Sequence, residues 1–342
     1  MKRDELSLKY INMRTGGITR QPTNDGVYLK SIVKMKDDAL ALFPTKTGLT
    51  IFDGLEFYTE MMLNIYKKKH PDFPRQRENL RRLLLALGIG EAYTTRLIYG
   101  TDEVAIVDKD GIYLQDGSTV APENYSLFDE GIQFQADAII TDRKNVALLM
   151  YSADCPTAFL RDKRTGAIGV LHSMWRGLVI EHEDGEHSSI VKTTVEAMAQ
   201  TYGTNPADLE VTIFPCADID QYEVGEDVAQ RFRDHNLSDA IVYDDNGKAH
   251  LNLNYAMIDL FLRSGVPLES IELTPFTTSD YGLNSLRLAP TNCTLRPEGM
   301  SGSQLYDSIQ TQVCETKLHS AQQIKDSTVR TSTLNFLIAM RA

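Results

Sequence analysis

Val146–Gly177 reads VALLMYSADCPTAFLRDKRTGAIGVLHSMWRG, and it places the chain's most continuous apolar runs beside its most reactive side chains. Val146–Tyr151 is a short apolar run that stops at Ser152-Ala153-Asp154-Cys155-Pro156, the pattern of a buried strand ending in a turn. A second run, Ala167–Leu171, follows the turn-like Asp162-Lys163-Arg164-Thr165-Gly166 and delivers His172 at its end, just before Trp175, Arg176 and Gly177. If the two runs are neighbours in one sheet, their ends meet, and a thiol faces an imidazole. Cys155 and His172 then either share a metal ion or form a nucleophile–base pair. The plainer alternative is that Cys155 is a small hydrophobe buried behind a strand.

Working outward, 342 residues with 42% hydrophobic and 24% charged side chains are enough for a full core, in one large α/β domain or two smaller ones. No apolar run is long enough to span a bilayer. The opening MKRDELSLKYINMRTGG lacks the apolar centre of a secretion signal, so a cytoplasmic protein is expected. Four cysteines, Cys155, Cys216, Cys293 and Cys314, without a CxxC pair read as free thiols in a reducing compartment rather than as a disulfide framework. A net charge of −12 argues against nonspecific nucleic-acid binding, which draws on basic surface. It leaves room for a small anionic ligand, since one local Arg or Lys can hold a phosphate.

Residues 1–25 read as a polar N-terminal arm. Val27–Val33 and Ala39–Phe43 are strand-like, Pro44–Gly48 is a basic turn, and Gly54–Lys69 is read as a helix. A second helix follows Pro74, with Leu80, Leu83, Leu84 and Leu87 on one face. Arg96–Gly100 reads as a strand, and Asp108-Lys109-Asp110-Gly111 as a hairpin turn. Beyond the central stretch, His182 and His187 lie in an acidic loop. Ser188 is read as the N-cap of a helix ending near Tyr202-Gly203. A strand at Val211–Phe214 ends at Pro215-Cys216. A helix then opens at Tyr222–Val228, another covers Tyr255–Arg263, and Ser270–Thr274 is a strand. Residues 288–331 read as an insertion before a closing strand, Leu334–Met340. Strands alternating with helices, without a break in composition, favour one α/β domain.

Five motifs in order, Ala136–Thr141, Ser152–Pro156, His172–Gly177, Ile213–Cys216 and Tyr222–Gly225, resemble the YfiH-like laccase-domain family. These are the purine nucleoside phosphorylases once described as multicopper polyphenol oxidases. The resemblance runs from about Phe43 to Met340. It implies a single three-layer α/β/α domain with a mixed sheet over residues 26–342, carrying zinc on one Cys and two His. The family's Cys falls on Cys155 and its second His on His172. Its first His, in Gln-x-His-Gly, falls on Tyr99 in Leu97-Ile98-Tyr99-Gly100. A phenol, with a free pKa of about 10, is a reluctant zinc ligand, and His182 or His187 is the candidate replacement. The family's early Arg falls on Lys46.

The resemblance implies phosphorolysis of adenosine, inosine or a related purine nucleoside to base and ribose 1-phosphate. Cys155 and His172 then hold the metal or act directly as the reactive pair. Lys46 helps to hold phosphate, Arg176 and Arg287 are further candidates for anion binding or else form ion pairs that support a loop, Asp154 is a turn-former and Trp175 a packing residue. Two rivals are a catalytically degenerate binding or scaffold protein, favoured by the changes at Tyr99, Lys46 and Met174, and a copper-dependent polyphenol oxidase. Copper chemistry of that kind draws on many His ligands, and His172 alone stands at a convincing position. Cys216 is expected to line the same region without binding metal.

Overall fold

The computed structural model describes residues 91–120 apart from Arg96 and Tyr99, and residues 135–273 apart from Ala153, Asp154, Pro215, Asp218, Asp220 and Gln221. It also describes the backbone of strands at 20–23, 26–29, 32–36, 39–43, 49–52, 55–58 and 335–341. The readings of the helix after Pro74, of the basic turn at 44–48 and of residues 288–331 fall outside these residues.

Two mixed sheets organise the chain. The larger has seven strands in the order Ile271–Leu273, Leu209–Ile213, Thr157–Asp162, Ile168–His172, Ala138–Thr141, Val104–Val107 and Ile112–Leu114. The smaller has five, in the order Ile32–Lys36, Ala39–Phe43, Asn335–Arg341, Val146–Ser152 and Glu91–Thr94. Val146–Ser152 runs parallel to Glu91–Thr94 and antiparallel to Asn335–Arg341, so the closing strand is threaded into the interior of its sheet. Val146–Ser152 also packs on Ile168–His172 of the larger sheet. Its residues Val146 to Met150 are buried, as a strand covered on both sides requires. With the helices below, this is an α/β fold.

One strand departs from the sequence pattern. Thr157–Asp162 is buried along its whole length although it contains Arg161 and Asp162. Arg161 stands directly opposite Glu210 in the neighbouring strand, and the two side chains pair at 3.0 Å. Asp162 turns the chain: its Oδ1 accepts from the amides of Arg164 at 2.7 Å and Thr165 at 3.1 Å. Gly166, at φ 73°, closes the turn with its N–H on the Asp162 carbonyl. The hairpin register therefore pairs Thr157 with His172.

A helix, Ile190–Tyr202, covers this sheet. Ser189, one position beyond the expected cap, accepts from the Lys192 amide, and Gly203 ends the helix in the left-handed region at φ 66°. The helix buries Ile190, Val191, Thr194, Val195 and Met198. Gly169 permits the close approach: a Cβ there would stand 3.0 Å from Ile140 Cγ2 and 3.5 Å from Met198 Sδ. Helices Glu226–Asp234 and Leu253–Arg263 add Phe232 and Phe261 to the same core, each worth roughly 1.5–3 kcal/mol of burial.

Two expected elements are corrected. Leu55–Tyr58, read as the start of a helix, is a strand paired with Leu49–Phe52. The strand expected at Arg96–Gly100 is not found among its described residues: pairing ends at Thr94, and Leu97 and Ile98 are irregular. Among the described residues no helix is long and apolar enough to cross a membrane.

Candidate active site

Because Thr157 is the cross-strand partner of His172, Cys155, two positions before Thr157, lies at the same sheet end as the imidazole. The Ser173 amide donates to the Pro156 carbonyl at 3.0 Å, which carries the pairing past the end of the strand. The Ser152 hydroxyl donates to the Cys155 carbonyl. Cys155 is 7% exposed and His172 1%. The route to this placement differs from the expected one. The apolar runs carrying the motif belong to different sheets, and the intervening strand Thr157–Asp162 is what makes the two residues neighbours.

Behind His172 stands Asp137, equally buried, with its Oδ1 3.8 Å from His172 Nδ1. The main chains are joined as well, since the His172 amide donates to the Asp137 carbonyl at 2.8 Å. The Asp137 carboxylate accepts from the amides of Ile98 at 3.2 Å, Gly100 at 2.9 Å and Thr101 at 3.2 Å. Burial by itself would raise this carboxyl. The facing imidazole and the Gly100 and Thr101 amides outweigh it and hold Asp137 below the ordinary aspartate range. One buried anion thus faces both the histidine and the amides of Ile98, Gly100 and Thr101. In the sequence Asp137 falls within the motif Ala136–Thr141, but nothing in that pattern marks it for a role at the site.

The segment 98–101 is also held from its other side. Gly100 has φ 124°, and a Cβ on it would stand 2.7 Å from the Arg176 Cβ. Arg176 is in the short helix Trp175–Leu178 directly after His172. It is exposed, with its guanidinium 5.1 Å from the Trp175 ring centroid. Trp175 is buried in the core cluster, as a packing residue should be. Next along the chain, Asp102 meets His182 at 3.1 Å, which docks the small hairpin of Ile180–Glu181 and His187–Ser188 beside the segment. His187 instead stacks on His235, with ring centroids 4.0 Å apart. Cys216 is fully buried at the same sheet end as Cys155, because the Phe214 amide donates to the Thr157 carbonyl. Its thiol donates to Asn254 Oδ1 at 3.2 Å.

Tyr99, Lys46, Arg287 and Asp154 lie outside the described residues. Cys155 and His172 offer a thiolate and an imidazole, two donors that zinc accepts. Among the described residues no group of three His, Cys, Asp or Glu side chains converges as a metal site. A metal held by these two would draw its further ligands from outside the described residues.

The profile of the multi-copper polyphenol oxidoreductase laccase family matches residues 58–285. A purine nucleoside phosphorylase of Bacteroides thetaiotaomicron is 28% identical over 205 residues, which cover 53% of this chain and 73% of the relative. One from Deinococcus radiodurans is 34% identical over 133 residues, 39% of this chain and about half (49%) of the relative. The crystal structure of YlmD from Geobacillus stearothermophilus superposes with a TM-score of 0.60 at 20% identity, covering 94% of this chain and 98% of that one. The α/β class and YfiH-like fold expected from the motif order are therefore observed, and the chain belongs to the multi-copper polyphenol oxidoreductase laccase family, the YfiH-like proteins.

Proposed function

We propose that this protein is a purine nucleoside phosphorylase-like transferase acting on adenosine, inosine or a close relative. A phosphate oxygen bonds to the anomeric carbon as the glycosidic bond breaks. The base leaves with the bonding pair and takes up a proton, and ribose 1-phosphate is formed. The observation that carries this reading is the buried Cys155 and His172 on adjacent strand ends, in a chain whose relatives are named for that activity.

Cys155 and His172 are assigned the reactive centre and two of the ligands of a zinc ion, with Tyr99 at the third position. Bound there, zinc supplies charge stabilisation in the transition state. Arg176 is assigned to phosphate, since it is exposed one helical step beyond the histidine and its stem lies against Gly100. Lys46 and Arg287 complete the anion site, Lys46 as a point charge. The protein's partners are then small molecules, nucleoside and phosphate, and its setting the cytoplasm. The substitution of Tyr99 for the family's histidine favours one rival, a member that binds nucleoside without turnover. Incubation of purified protein with adenosine or inosine, with and without phosphate, separates the two. Ribose 1-phosphate forms in the first case; ligand binding without product marks the second.

A further inference from the structure

Resting on the assignment of His172 to the reactive centre, we infer that Asp137 is a positioning residue that sets both the tautomer of His172 and the seat of the neighbouring Ile98, Gly100 and Thr101 amides. His172 is 1% exposed and Asp137 likewise, so no bulk water separates them. A neutral imidazole beside an ionised carboxylate turns an N–H toward it, because a ring lone pair facing an anion is repelled. Nδ1, 3.8 Å from Oδ1, is the atom in that position. The proton on Nδ1 leaves the lone pair on Nε2, and Nε2 becomes the atom through which His172 binds metal or moves a proton. A carboxylate behind a ligating histidine acts in the same way in metal sites generally, fixing the ring and raising its basicity.

The same carboxylate accepts the amides of Ile98, Gly100 and Thr101. Asp137 also sits at the head of the strand Ala138–Thr141, whose register pairs Ala138 with Leu171. Strand register and backbone amides together leave the anion little freedom. Histidine and loop are thereby referred to one point, and a shift of Asp137 moves both. Asparagine, nearly the same shape, has one acceptor oxygen and an NH2 group that would face backbone donors. It cannot hold the loop and the imidazole at once.

The test is a long-range proton–nitrogen NMR spectrum of the histidine rings in the full-length, metal-free protein at neutral pH. The His172 signals are identified by their loss in His172→Gln. The expected result is an Nδ1-protonated His172 in the wild type, lost or mixed in Asp137→Asn, with zinc affinity lowered about 10–100-fold. An Nε2-protonated His172 in the wild type overturns the inference, as does a tautomer unchanged in Asp137→Asn. If Asp137→Asn fails to fold, the wild-type spectrum decides alone. Because the spectrum involves no nucleoside, it tests the role of Asp137 even if the protein carries out no phosphorolysis.

Discussion

Thr157 and His172 face each other across an antiparallel strand pair, and this register places Cys155 at the same sheet end as His172. The register is set at the far end of the hairpin, where Asp162 accepts the Arg164 and Thr165 amides. Removing the turn acceptor in Asp162→Ala is expected to destabilise the protein by about 1.5–3 kcal/mol, the range for hydrogen bonds to a charged group. Equilibrium denaturation measures it.

That effect carries a pH signature. Burial would raise the Asp162 carboxyl, but the Thr204 and Thr165 hydroxyls and the turn amides hold it below the ordinary range. A group whose folded pKa is depressed stabilises the fold above its unfolded pKa, about 4, and that contribution is lost as pH falls through the folded value. The gap between wild type and Asp162→Ala should therefore narrow from about pH 6 to about pH 3 in denaturant titrations. A constant gap would mean that the ionised carboxylate is not what holds the turn.

Gly100→Ala should be costly for its size. Its φ of 124° is strained for alanine, and the added Cβ would press on Arg176. A loss of about 1–3 kcal/mol is expected, with a concurrent fall in zinc affinity because position 99 is displaced. Thermal unfolding and a zinc titration check the two parts separately.

Most of the larger architecture was legible because it rests on local patterns. The apolar run at Val146–Tyr151, the Asp108–Gly111 turn and the Gly203 stop each carry their own signal. What was not legible depends on distant partners. Thr157–Asp162 hides its strand character behind Arg161, whose charge is met by Glu210 from another strand. Arg96–Gly100 looks like a strand, but its Ile98 and Gly100 amides go to Asp137, 39 and 37 positions away. At the site, Cys155 and His172 stood out as reactive side chains at the ends of apolar runs. Asp137 did not, since a single Asp ahead of an apolar run also reads as an ordinary turn residue.

Zinc should be held below one equivalent, or be lost readily to a chelator, because a phenol at position 99 gives up its proton reluctantly. Tyr99→His should raise zinc affinity, measured by elemental analysis after dialysis. Full occupancy in the wild type that survives a chelator would contradict this reading and direct the search for a ligand to His182, which already lies at Asp102 beside the segment.

The most direct measurement is phosphate-dependent release of base and ribose 1-phosphate from adenosine and inosine by zinc-replete protein, for wild type and Cys155→Ala side by side. Wild type should form both products only when phosphate is present. Cys155→Ala should be slower by roughly 100-fold or more, in line with the loss of a group acting in the transition state. Phosphorolysis absent from the zinc-replete wild type, or equal in the two proteins, would contradict the assignment of Cys155 and His172 to a nucleoside-cleaving centre.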